Sequence, residues 1–151
     1  MTSAPNRSFV YVTYIRTTPE QLWSALTSPE AMKKYWFGMH QESEWKTGAP
    51  WRLLFSDGRV ADTGEILEID PPKRLVIKWR NEFRPELKAE GHSRCTIELE
   101  PVGDAVKLTI FHAMEHSEPG DSKVIDAVSG GWPKILSNLK SLLEHGDVVL
   151  T

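Results

Sequence analysis

Between residues 124 and 143 the apolar side chains Val124, Ile125, Val128, Trp132, Ile135, Leu136, Leu139, Leu142 and Leu143 recur three and four apart. The stripe keeps its phase through Gly130-Gly131-Trp132-Pro133, four residues that would ordinarily end a helix. A helix restarting at Pro133 would have no reason to hold its stripe in register with the one before it, so the spacing predicts one helix over 122–144. It should bend near 130–133, where Pro133 forgoes the bond to the Ser129 carbonyl. A helix this long with one apolar face needs a large apolar surface to cover, and the rest of the chain must supply it.

That surface is a sheet. Residues 9–16 read as a first strand, and 44–46, 51–55, 60–69, 75–80, 93–100 and 106–114 as six more. Thr47-Gly48-Ala49-Pro50, Ser56-Asp57-Gly58, Asp70-Pro71-Pro72-Lys73 and Pro101-Val102-Gly103-Asp104 are short connections with turn chemistry, which makes neighbouring strands antiparallel. The last strand shows its buried side: Val106, Leu108, Ile110, His112 and Met114 share one face, Lys107 and Thr109 the other. Leu75, Ile77 and Trp79 likewise oppose Val76, Lys78 and Arg80. Residues 82–91 are polar and read as a surface loop.

Two helix starts fall between the first strand and the rest. Thr18-Pro19-Glu20-Gln21 offers a hydroxyl cap, a proline at the first helical position and a glutamine able to complete a capping box. Ser28-Pro29-Glu30 repeats the signal, so a bent pair of short helices should carry Leu22, Trp23 and Leu26, then Met32, Tyr35 and Trp36, inward before Gly38.

Composition narrows the function classes. With 18 basic residues scattered among 21 acidic ones and a net charge of −3, nothing marks a nucleic-acid surface. No run of apolar residues is long enough for a membrane span, and residues 1–8 lack the apolar core of an export signal. The one cysteine, Cys95, has no partner for an internal disulfide and suits a reducing compartment, the cytoplasm. At 151 residues one domain is expected, with a core over about 9–144.

Chemistry-bearing motifs are sparse. His112, Glu115 and His116 cluster, but His112 ends a strand and His116 falls in a loop, so the helical two-histidine zinc geometry is absent and no metal is expected. Cys95 shares a strand face with Ile97 and Leu99 and reads as an inert small apolar residue. Asp57, Asp62 and Glu65 read as solvated carboxylates, and no nucleotide-binding or nucleophile motif occurs. No cofactor is expected.

The aromatics say more. Six tryptophans are present; Trp23 reads as core and Trp45 as a turn edge, whereas Trp36, Trp51, Trp79 and Trp132 fall on inward or cavity-mouth positions. They either fill the core or line an apolar pocket facing the long helix. For a pocket, the expected ligand contacts are Trp36, Trp51, Phe55, Trp79, His112, Met114, Val128 and Trp132, with Arg52, Glu65, His112 and the indole nitrogens fixing orientation.

The runs PEQLWSALTSPEAMKKYWF, GEILEIDPPKRLVIKW and GGWPKILSNLKSLLE resemble the family named after the C-terminal domain of the activator of heat-shock protein 90 ATPase. That family belongs to the helix-grip (START-like) superfamily, and the resemblance runs from Phe9 to about Leu143. It implies an α+β fold of the order β-α-α-β6-α, a curved antiparallel sheet around the long C-terminal helix with an internal cavity. It also implies three roles: binding a hydrophobic or amphipathic small molecule, assisting a chaperone, or an enzyme using His112 as acid or base. The eukaryotic activator is similar only in its C-terminal part, so the name speaks weakly for chaperone binding. Monomer and homodimer are both open.

Overall fold

Thr18 and Ser28 cap the two short helices as their positions require. Their hydroxyls accept from the Gln21 and Ala31 amides, with Pro19 and Pro29 at the first helical positions. The computed structural model describes residues 7–115 and 121–151. Its order is β1 (Ser8–Ile15), α1 (Pro19–Thr27), α2 (Pro29–Tyr35), β2 (His40–Ser43), β3 (Pro50–Leu54), β4 (Val60–Asp70), β5 (Arg74–Asn81), α3 (Pro85–Lys88), β6 (Ser93–Val102), β7 (Ala105–Met114) and α4 (Lys123–His145). The capping box closes differently from expectation: Gln21 Oε1 accepts from the Thr17 hydroxyl.

The seven strands form one antiparallel sheet in the order β1-β7-β6-β5-β4-β3-β2. β1 and β2 lie at opposite edges, so α1 and α2 carry the chain from one edge to the other. Register shifts at Leu53/Leu54 and Ile66/Glu68 interrupt the ladders on both sides of β4, and such irregularities bend and twist a sheet locally. Opposite Trp79, β4 carries Gly64, where an added Cβ would lie 1.6 Å from the Lys78 carbonyl oxygen. Only glycine allows that approach. The result is the α+β helix-grip fold, with α4 against β1, β7 and α2.

α4 runs unbroken through Pro133, with Ser122 as its cap and Gly146, in the left-handed region at φ 81°, as its stop. Its buried side chains are Val124, Ile125, Trp132, Ile135, Leu136, Asn138 and Leu139; the remaining stripe residues Val128, Leu142 and Leu143 are partly buried against the same core. A Cβ at Gly130 or Gly131 would meet nothing within 4 Å, so neither is needed for close approach to the sheet.

Two further corrections concern the loops. The strand expected at 44–46 lies instead at His40–Ser43, because Trp45 takes a positive φ of 55°, which ends extended structure and begins the turn into β3. The loop at 82–91 contains α3, and this segment buries Leu87.

Candidate functional site

The concave face of the sheet places Trp79 (β5) between Trp51 (β3) and His112 (β7), and α4 lowers Trp132 onto the group. Trp79 lies 4.3 Å from Trp51, 6.0 Å from Trp132 and 5.4 Å from His112 between ring centroids. Trp36, the residue ending α2, completes the cluster at 5.3 Å from Trp132, edge-on, and 6.4 Å from Trp79. Apart from the closer Trp79–Trp51 pair, these contacts fall in the range where aromatic pairs attract beyond their buried area. Aromatic packing therefore fixes where α4 crosses the sheet.

Beside this cluster a cavity of about 200 Å³ lies between sheet and α4. From the sheet side and α2 come Trp36, Met39, Leu53, Asp62, Trp79, Asn81 and His112. α4 contributes Val124, Ala127, Val128, Gly131, Trp132 and Ile135, and the 82–91 segment adds Phe83 and Leu87. Phe83 stands exposed at the rim, its ring edge-on to Phe55 at 5.0 Å.

Of the residues expected to contact a ligand, Trp36, Trp79, His112, Val128 and Trp132 meet at this cavity. Trp51, Phe55 and Met114 do not line it. Trp51 is fully buried behind Trp79 and donates its indole N–H to Gln41 Oε1 at 2.8 Å. Phe55 sits beyond Phe83, with the Arg59 guanidinium over its ring, and Met114 ends β7 opposite Ser93. Arg52 and Glu65 point to solvent, Arg52 paired with Glu42.

Asp62 overturns its reading as a solvated carboxylate. It is buried, lines the cavity, and accepts the Trp79 indole N–H on Oδ2 at 2.7 Å. Burial pushes its pKa up to about 7; the Trp79 hydrogen bond opposes the rise and the nearby Glu82 charge adds to it. Glu82 itself holds its charge, with a pKa lowered to about 2. Burial works against that charge, but hydrogen bonds from Arg80, Thr63 and Lys88 outweigh it. The sequence offers no local sign of this burial, because the indole that donates to Asp62 comes from the neighbouring strand, seventeen residues later.

His112 is fully buried, and its two ring nitrogens are both engaged. An indole N–H only donates, so Nδ1 is the acceptor of the Trp132 bond at 3.2 Å and the neutral ring carries its proton on Nε2. That proton points at Ser93 Oγ, 2.7 Å away, and the Ser93 hydroxyl donates to the Trp79 carbonyl at 3.3 Å. Burial lowers the His112 pKa to about 4. Its neutral form is the one the network requires.

His116 lies outside the described residues, and among the described residues no group of three His, Cys, Asp or Glu side chains could hold a metal ion. Cys95 is buried, and burial raises its thiol pKa far above the usual range. No helix among the described residues is long and apolar enough to cross a membrane.

The family model described as activator of Hsp90 ATPase homolog 1-like protein matches residues 16–144. The chain belongs to that family. Among solved structures, a protein from Mesorhizobium loti is similar at TM-score 0.77 and 24% identity, over 94% of this chain and 100% of that one. An HSP90 activator from Plasmodium falciparum is similar at TM-score 0.73 and 25% identity, covering 91% and 96% of the two chains. The Aha1 dimer from Colwellia psychrerythraea is similar at TM-score 0.71 and 18% identity, covering 92% and 97%. Comparison with curated proteins gives no match. Family membership thus rests on most of the chain, whereas the Asp62–Trp79 and His112–Trp132 pairs are read from this structure.

Proposed function

We propose that the chain is a single-domain cytoplasmic binding module that holds a small hydrophobic or amphipathic molecule between sheet and α4 without transforming it. The observation that carries this is the cavity of about 200 Å³ with a mostly apolar lining and a few polar atoms. Drug-sized ligands occupy pockets of about 300–1,000 Å³, whereas an apolar cavity of about 150 Å³ accepts benzene. A ligand of one or two rings therefore fits this volume better than a sterol or an intact lipid.

His112 favours binding over catalysis. Its Nδ1 lone pair is given to Trp132 and its Nε2 proton faces Ser93, so neither is presented to a substrate. A thermal-shift screen with lipids, sterols and small aromatics tests the reading. Stabilisation is expected from the small aromatics, and the absence of any stabilising compound overturns it.

Family membership and the likeness to the Plasmodium falciparum HSP90 activator support a second reading, assistance to a chaperone. Stimulation of the cognate chaperone's ATPase by the purified chain would establish that role, and no effect at high concentration would remove it.

A further inference from the structure

Among the described residues, every fully buried side-chain nitrogen or oxygen of the aromatic cluster but one has a hydrogen-bond partner. Trp51 gives its N–H to Gln41, Trp132 gives its own to His112, and His112 turns Nε2 to Ser93. The exception is Asp62. One oxygen receives the Trp79 N–H, while Oδ1 is buried and has no partner among the described residues. Asp62 is only 7% exposed, so solvent does little for it. A buried acceptor left unpaired is costly to keep in a fold, and the cavity beside it is where a partner can enter.

We propose, resting on the binding reading above, that the cavity takes a neutral one- or two-ring aromatic bearing a single N–H or O–H, which it donates to Asp62 Oδ1. The volume of about 200 Å³ sets the ring count. Neutrality follows from the lining. An ammonium would bring two or three N–H groups to one free buried acceptor, and the remaining hydrogens would face the aliphatic Leu53, Val128 and Ile135. The charges nearest to Asp62 also serve each other: Glu82 is tied to Arg80, Thr63 and Lys88. The side chains that α4 contributes to the lining carry no charge. Asn81, the register partner of Asp62, also lines the cavity and accepts the Phe83 and Arg84 amides on Oδ1.

Indole and benzothiophene separate the donor from the ring, because they match in size and shape and differ in the N–H. Their affinities are measured by tryptophan-indole NMR shifts at pH 8.5, where Asp62 is ionised. Indole is expected to bind roughly 10- to 100-fold more tightly, the range for a hydrogen bond to a charged acceptor. In Asp62→Asn, whose carbonyl can still receive Trp79 but whose NH2 replaces the free acceptor, that preference should vanish. Equal binding of the two probes by the wild-type chain overturns the donor rule and leaves the pocket standing. So does an indole preference that survives in Asp62→Asn. Binding of neither probe at millimolar concentration overturns the pocket reading and this inference together.

Discussion

Trp132 donates its indole N–H to His112 Nδ1 at 3.2 Å, joining α4 to β7 by a polar link inside an aromatic contact. Trp132→Phe keeps the ring packing and orphans the imidazole nitrogen, which should cost about 1–3 kcal/mol. Trp132→Ala also empties the space between α4 and Trp36, at about 3–5 kcal/mol. Urea denaturation checks both. Equal losses for the two variants would show that the hydrogen bond, and not the ring, holds the helix.

Asp62 and His112 titrate with opposite consequences for stability. Asp62 is raised from 3.8 to about 7, so its folded form holds the proton more tightly than the unfolded chain. That stabilisation is complete below pH 3.8 and is lost as the pH climbs to about 7. His112 is lowered from 6.5 to about 4, so its contribution is complete above pH 6.5 and is lost as the pH falls to about 4. Over most of this range the two slopes cancel. Asp62→Asn should therefore gain stability relative to wild type from pH 4 to 7, by on the order of 4 kcal/mol in all. His112→Gln should show the opposite difference curve, and parallel curves for wild type and both variants would refute the assignment.

The sequence reading reaches far into the fold because its signals are periodic. The α4 stripe, the alternation of β7 and the two hydroxyl-proline caps each repeat or pair with a known partner, and each element lies where its signal puts it. The site was less legible. Trp36, Trp79, His112, Val128 and Trp132 could be grouped by face, but Trp51, on the same face, is walled off by Trp79, and no strand pattern shows which of two neighbouring indoles stands in front. Asp62 was misread for a related reason: its burial depends on Trp79, seventeen residues later, supplying the hydrogen bond. The pocket's Phe83 and Leu87 come from a polar stretch with no periodic signal, ordered by the Phe83 amide donating to Asn81 Oδ1 and the Leu87 amide donating to the Arg84 carbonyl.

Gly130 and Gly131 weaken α4 without a steric need, since a Cβ at either meets nothing within 4 Å. Gly130→Ala should stabilise the domain by about 1 kcal/mol, the usual difference between glycine and alanine in a helix interior. Gly131 lines the cavity, so Gly131→Ala should stabilise to a similar degree yet reduce the affinity for indole by filling ligand space. Melting temperature and ligand titration on the same two variants separate these effects. If Gly131→Ala binds indole as well as the wild-type chain does, the ligand does not lie against this turn of the helix.

Glu90, at the end of the α3 segment, receives the Ser122 hydroxyl at 2.5 Å and the Lys123 and Val124 amides at 2.8 and 3.3 Å. A carboxylate is thereby set on the first turn of α4, where unpaired amides and the positive end of the helix dipole both favour negative charge. Burial works against that charge, but the three hydrogen bonds prevail and hold the Glu90 pKa below the ordinary 4.5. The sign is that of a depressed acid: its stabilisation is present above pH 4.5 and disappears as the pH falls through the lower folded value. Glu90→Gln keeps an acceptor but removes the charge, and should cost about 1 kcal/mol at pH 7 and progressively less as the pH falls below 4.5. Because this cap ties the cavity-forming 82–91 segment to α4, hydrogen exchange should quicken in the variant at Val124, Ile125 and Leu87 together. Quickening confined to the first turn of α4 would mean that the 82–91 segment is held by Leu87 alone.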